Sequence, residues 1–217
     1  MSDQDKISSR YDFWTPFYDI LDNIPVLSGP QKRWKKSAVN ALELKGYEKV
    51  LDIGTGTGEI LPWIAEYLDD GVVIGTDISK GMLKRTKNKI EKNDLENKVK
   101  VVYDDIQSSK FPNDSFDKII ATFTFTTVPD PKCTAEECKR ILKKDGEMIV
   151  LDTGKPENKI YLPLFYLMNF SAKVFGRTHM DRPIQQIISD YFEVKKKKAN
   201  MLGMVYQLKC IINKKGF

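Results

Sequence analysis

"VLDIGTGTGEI" (residues 50–60) decides how this chain folds. An apolar run carrying one acid, Asp52, leads into glycines at 54, 56 and 58, and the helical pattern of "GEILPWIAEYLDD" follows. A strand that turns through glycines into a helix opens a parallel α/β sheet, and backbone without side chains at that turn lets a ligand come close. Ligands of such sheets bind beyond the carboxyl ends of the strands, which makes Gly54, Gly56 and Gly58 candidate binding positions. The dinucleotide pattern G-x-G-x-x-G would require glycine at 59, where this chain has Glu59.

Outward from this turn, short β-rich apolar runs alternate with helical periods. Strands are expected near 48–53, 72–76, 99–103, 117–122, 146–152, 192–198 and 204–212. The helix after the turn is expected to begin at the glycines, with Ile60, Leu61, Ile64, Ala65 and Leu68 on one face and Pro62 in its first turn. "SKGMLKRTKNKIEKN" puts Met82, Leu83, Thr86 and Ile90 on one side, and "TAEECKRILKKDG" predicts a helix ending at Gly146. "KANMLG" is too short for a crossover helix, so the last two strands should form an antiparallel hairpin. The expected fold is a doubly wound, Rossmann-like α/β domain: a seven-stranded, mostly parallel sheet with one antiparallel strand and helices on both faces. Its organisation is expected as a single domain over 1–217. An N-terminal helical cap would span 1–45, a cofactor-binding core 46–155, an acceptor-side lid or insert 156–190 and a C-terminal β-hairpin 191–217.

Composition narrows the classes. With 217 residues, 41% hydrophobic and 30% charged, the chain can bury a core and is not of disordered type. The net charge of +5 is mild, and acids are mixed with bases over most of the length, so no nucleic-acid partner is expected. Lys195 to Lys198 read as a solvated sheet edge. Cys133, Cys138 and Cys210 lack metal-ligand spacing, so reduced thiols and no metal are expected. "MSDQDKISSRYDFW" has the character of neither a secretory nor a transit leader, which gives a cytoplasmic expectation. "IYLPLFYLMNF" (160–170) is too short to span a bilayer. Residues 160–175, flanked by Lys159 and Lys173, remain a lid, a core helix or a peripheral membrane contact. Oligomeric state is not legible.

The acids point to the ligand. A pyrophosphate needs a helix start free of competing anions, whereas Asp52 precedes this loop and Glu59 follows it. That field favours a ligand with positive groups and no phosphate, such as S-adenosylmethionine. "VVIGTDIS" ends a strand at Asp77, nineteen residues after Gly58, where a carboxylate can accept both ribose hydroxyls, although "DIS" also suits a helix cap. In "VVYDDIQSSKFPNDSFDKII", Asp105 is placed to accept from the adenine amino group and the Ile106 N–H to meet a ring nitrogen. Asp104 reads as a solvated neighbour.

The order "VLDIGTGTGEI", "IGTDIS", "DDIQSSKFPNDSFDKIIATFTF" and "ILKKDGEMIVLDTGKP" resembles the class I S-adenosylmethionine-dependent methyltransferases over roughly residues 45–155. "FPNDSFD" and "RILKKDGEMIVLD" are similar to the branch holding ubiquinone/menaquinone-type methyltransferases and small phospholipid N-methyltransferases. The resemblance implies S-adenosyl-L-methionine as cofactor and S-adenosyl-L-homocysteine as product. Asp52 and the backbone of Gly54, Thr55, Gly56 and Gly58 would hold the methionine end, Asp77 and Ile78 the ribose side, and Met82, Asp105 and Ile106 the adenine. Thr122 would lie near the methionyl moiety, and Phe123 to Thr126 along the methyl's route. "RYDFWTPFYD" is similar to the aromatic opening of the quinone-type branch, where Tyr11 would cover the cofactor and Tyr18 face the acceptor; the spacing also fits plain helix packing.

Methyl transfer from a sulfonium is an in-line displacement, so alignment matters more than a strong base. Tyr18 and His179, the sole histidine, are the catalytic candidates, with a surface role the alternative for His179. The expected acceptor is small and apolar or amphiphilic: a lipid amine, a quinone-type ring or similar. The alternatives are a nucleic-acid methyltransferase, a cofactor-binding protein without turnover and, by fold, an oxidoreductase. "ATFTFTTVPDP" lacks the Asn/Asp-Pro-Pro-aromatic tetrad of amino-methylating DNA enzymes.

Overall fold

The structure, a computed structural model, describes residues 25–173 and 178–213. Its strands are β1 (Lys49–Ile53), β2 (Val72–Asp77), β3 (Val99–Tyr103), β4 (Phe116–Thr122), β5 (Leu142–Thr153), β6 (Phe192–Asn200) and β7 (Val205–Ile212). The α-helices are α1 (Pro25–Asn40), α2 (Leu61–Ala65), α3 (Lys80–Lys92), α4 (Pro131–Ile141), α5 (Leu162–Ser171) and α6 (Ile184–Tyr191). The strands form one seven-stranded sheet of order β3-β2-β1-β4-β5-β7-β6. The pairs β1–β2, β2–β3 and β4–β5 are parallel, and β7 runs antiparallel to both its neighbours, to β6 as the short "KANMLG" connection requires. The chain divides into two compact units, Met1–Lys110 and Phe111–Phe217.

In the first unit, Val50, Leu51 and Ile53 of β1 are fully buried, and the expected faces Ile60, Leu61, Ile64, Ala65, Leu68 and Met82, Leu83, Thr86, Ile90 all point inward. The first helix after the glycines is shorter than its apolar period suggests. It begins at Leu61, not at the glycines, because Gly54, Gly56 and Gly58 all adopt positive φ, which an α-helix excludes. Pro62 then occupies the first turn, where its missing N–H is harmless. Ser79 caps α3 by accepting from Met82 N (3.1 Å). Of the expected N-terminal cap, α1 is described and lies against α2, with Lys36 Nζ 5.3 Å from the Trp63 ring centre. Tyr11 and Tyr18 lie outside the described residues.

In the second unit, Asp130 caps α4 by accepting from Lys132 N (2.8 Å) and Cys133 N (3.1 Å), with Pro131 following it. The helix stops at Ile141, five residues short of the Gly146 terminus expected from sequence. Buried Leu142 already pairs with Phe116, and the next aligned pair is Lys118 with Glu147, so residues 143–146 loop out of the ladder. Gly146 serves close approach: a Cβ there would sit 2.6 Å from Leu142 Cδ1. Cys138 and Cys210 are fully buried and no disulfide is present among the described residues. β6 is an edge strand with Lys195 to Lys198 exposed, as their run predicts. Among the described residues no helix is long and apolar enough to cross a membrane.

Candidate functional site

The carboxyl ends of β1, β2 and β3 bring the predicted acids together within the first unit. Thr55, directly after Gly54, folds back so that its Oγ1 donates to Asp52 Oδ2 (2.6 Å), while its N–H donates to Thr76 O (2.8 Å). Gly75 on β2 permits this, since a Cβ at 75 would meet Thr55 Oγ1 at 2.9 Å. Gly56 N donates to Asp77 Oδ2 (2.9 Å) and Ser79 N to Asp77 Oδ1 (2.9 Å), which ties the glycine turn to the tip of β2. Thr86 Oγ1, from the buried face of α3, donates to Gly56 O (2.8 Å). The turn is thus held from three sides by Asp52, Asp77 and Thr86. Asp77 is not the side chain that caps α3; Ser79 fills that place.

Asp52 is wholly enclosed. Burial pushes its carboxyl from 3.8 up to about 7, opposed by the Thr55 hydroxyl and the charge of Lys35, while Asp77 adds to the rise. Lys35 Nζ also pairs with Glu59 Oε2, so the acid after the glycines is neutralised by α1. Asp52 Oδ1 is buried with no hydrogen-bond donor among the described residues.

At the tip of β3, Asp105 accepts from Gln107 N (3.0 Å) and starts a 3-10 turn in which Ile106 is buried. Asp104 is buried rather than solvated, against the sequence expectation, and its Oδ1 accepts from Lys110 N (3.2 Å). Its exposure was misjudged because an acid pair at a strand end carries no period. Met82 is buried at the start of α3, and Ile78 is half-buried beside Asp77.

The other predicted residues belong to the second unit. Thr122 ends β4, and Phe123 after it takes a positive φ of 57°, an unusual backbone for an aromatic residue. Phe125 and Thr126 are fully buried. Thr126 Oγ1 donates to Asp152 Oδ1 (2.6 Å), and His179 N donates to Thr126 O (3.0 Å). His179 is therefore fastened to the loop that follows β4. Burial pushes Asp152 up to about 6, opposed by the Thr126 hydroxyl and by N–H donors from Thr153, Thr126 and Phe125. Gly75, Ser79, Lys35 and Asp152 were not singled out from sequence, and Thr86 only as part of the apolar face of its helix; Ser79, in "DIS", carried a local capping signal.

The residues present fit an adenosyl amino acid. Asp52 Oδ1 offers a buried acceptor, and among the described residues a Cβ built on Gly56 meets nothing within 4 Å, so the turn there presents bare backbone. A sheet of this order with carboxylates at the tips of three successive strands is that of a class I S-adenosylmethionine-dependent methyltransferase, and S-adenosylmethionine is its cofactor. The chain belongs to the family described as methyltransferase domain, whose model matches residues 44–202. It is 29% identical over 170 residues to a demethylmenaquinone methyltransferase of Bacteroides fragilis, covering 78% of this chain and 68% of the other. To the Bacillus cereus enzyme of the same name it is 26% identical over 206 residues, 92% of this chain and 86% of the other. Among solved structures, a SAM dependent methyltransferase from Aquifex aeolicus superposes with a TM-score of 0.63 at 22% identity, over 82% of this chain and 89% of that one.

Proposed function

We propose that the chain methylates a small amphiphilic acceptor of quinone type. The observation that carries this reading is the similarity to demethylmenaquinone methyltransferases across 92% of the chain. The bound cofactor supplies an electrophilic methyl on a sulfonium sulfur, which leaves as the neutral thioether of S-adenosylhomocysteine.

The chain's own residues bind and align. Asp52, through its unpartnered Oδ1, would hold the cofactor's ammonium, and the Gly54, Thr55, Gly56 and Gly58 backbone would support the methionine end. Asp77, whose oxygens accept the Gly56 and Ser79 N–H, would meet the ribose hydroxyls at the tip of β2. Asp105 and the Ile106 N–H would hold the adenine edge, with Met82 and Ile78 beside it. Thr122, at the end of β4, is the residue that the family resemblance assigns to the methionyl group.

An electron-rich ring carbon of a reduced quinone forms the new C–C bond and then loses its proton. His179, fastened to the loop after β4, is the candidate acceptor of that proton. Release of S-adenosylhomocysteine is measured with a short-chain demethylated quinol, phosphatidylethanolamine, tRNA and duplex DNA. Turnover on the quinol is expected; turnover confined to the lipid amine or to a nucleic acid overturns the reading. His179→Ala is expected to lower kcat on the quinol about a hundredfold with S-adenosylhomocysteine affinity kept. An unchanged kcat removes His179 from the mechanism.

A further inference from the structure

Two separate segments of the second unit place apolar side chains in solvent beside lysines. On α5 and the turn before it, Ile160 (73% exposed), Leu167 (65%) and Phe170 (68%) form an outward stripe with Leu164. The opposite side of α5 is anchored: Phe165 packs with Met180 and Met204, and Asn169 Oδ1 accepts from Met180 N (3.1 Å). The stripe therefore cannot turn inward without breaking that packing. The β6–β7 tip exposes Met201 and Leu202, and a Cβ built on Gly203 there lies 3.6 Å from Pro156 Cα. Lys197 of β6 pairs with Glu157 (2.6 Å), three residues before Ile160, so tip, edge strand and helix converge.

Charge selects the occupant. Residues 155–173 and 192–203 contain seven lysines against two acids, Glu157 and Glu193, both of which are paired to lysines. Lys173 is paired with Asp181, and Lys155 lies over the Tyr166 ring at 5.7 Å; Lys159 and Lys196 are exposed. An apolar stripe rimmed by cations matches an anionic bilayer, where side chains enter the acyl boundary and lysines meet phosphates.

We infer that the α5 stripe and the β6–β7 tip together dock this protein on an anionic phospholipid surface. The inference rests on residues other than those assigned to the cofactor and holds whichever acceptor is methylated. Each lysine near such a surface multiplies partitioning about fivefold. The full chain is sedimented with vesicles of phosphatidylcholine alone and with about one-third phosphatidylglycerol. Binding to the anionic vesicles at least about tenfold tighter, weakened by added salt, is expected. Leu167→Glu with Phe170→Glu should abolish it while leaving S-adenosylhomocysteine affinity unchanged, which shows that the variant is folded. Lys159→Gln with Lys196→Gln should weaken it about tenfold or more.

Equal retention in the supernatant with both vesicles overturns the inference. So does full binding by the Glu variant. A dimer that the Glu variant splits, without vesicle binding, assigns the stripe to a second copy instead. Methylation of a soluble short-chain quinol is read separately, so failure of docking and failure of the acceptor reading are distinguishable.

Discussion

Burial lifts the Asp52 carboxyl from 3.8 to about 7, which couples its proton to both stability and ligand binding. A raised carboxylate means that the native state holds a proton the unfolded chain has released between about pH 4 and pH 7. Its contribution to stability is therefore present below pH 4 and lost as pH rises through 7, and Asp152, pushed up to about 6, acts in the same direction. A cationic ligand at Asp52 favours the charged form, so binding expels the proton. The dissociation constant of S-adenosylhomocysteine is expected to rise by up to tenfold per unit as pH falls below about 7, and to flatten above it. Calorimetry in two buffers of different ionisation enthalpy checks both the slope and the proton release. Asp52→Asn should weaken binding about thirtyfold to a hundredfold and abolish that slope, yet raise the thermal midpoint at pH 8, because it removes a buried charge. A variant that binds as the parent does would contradict the role of Asp52.

At the scale of elements, the glycine turn and α3 are fitted to each other. Gly58 has φ +68°, and a Cβ there would lie 2.4 Å from Thr86 Cγ2, whose hydroxyl holds Gly56 O. Gly58→Ala is expected to cost about 2–3 kcal/mol from left-handed backbone and overlap together. Adding Thr86→Ser removes the overlapping methyl but keeps the hydroxyl, so urea unfolding of the double variant should recover part, not all, of the loss. The strand, glycines and Asp77 were legible because each carries a local rule: apolar run, bare backbone, acid at a strand end. Thr86 and Gly75 were not, since their meaning arises only when α3 and β2 are brought against the turn. The start of α2 was misjudged for a related reason: apolar period continues through residues whose φ forbids helix. Leu142 shows the same conflict, where burial and pairing with Phe116 override the helical run leading to Gly146.

Over the whole molecule, the seven strands and the reversed β7 follow from periodicity and one short connection, whereas the order of the sheet required the coordinates. Binding linkage gives a global test: S-adenosylhomocysteine at a hundred times its dissociation constant should stabilise the fold by about 2.7 kcal/mol. At one fixed ligand concentration the gain should shrink from pH 7.5 to pH 6, as Asp52 retains its proton; a scanning calorimeter reads this directly, and an equal gain at both values contradicts the linkage.

The enclosed sulfur atoms turn the fold into its own clock. Burial pushes the Cys138 thiol far above its ordinary value and Cys210 up to about 12, so neither presents a thiolate to an alkylating reagent in the native state. Half-buried Cys133, near the start of α4, should be modified first. The second and third adducts seen by mass spectrometry then count openings of the second unit's interior, and their slowing by bound nucleoside would register ligand-linked protection without any added dye or label.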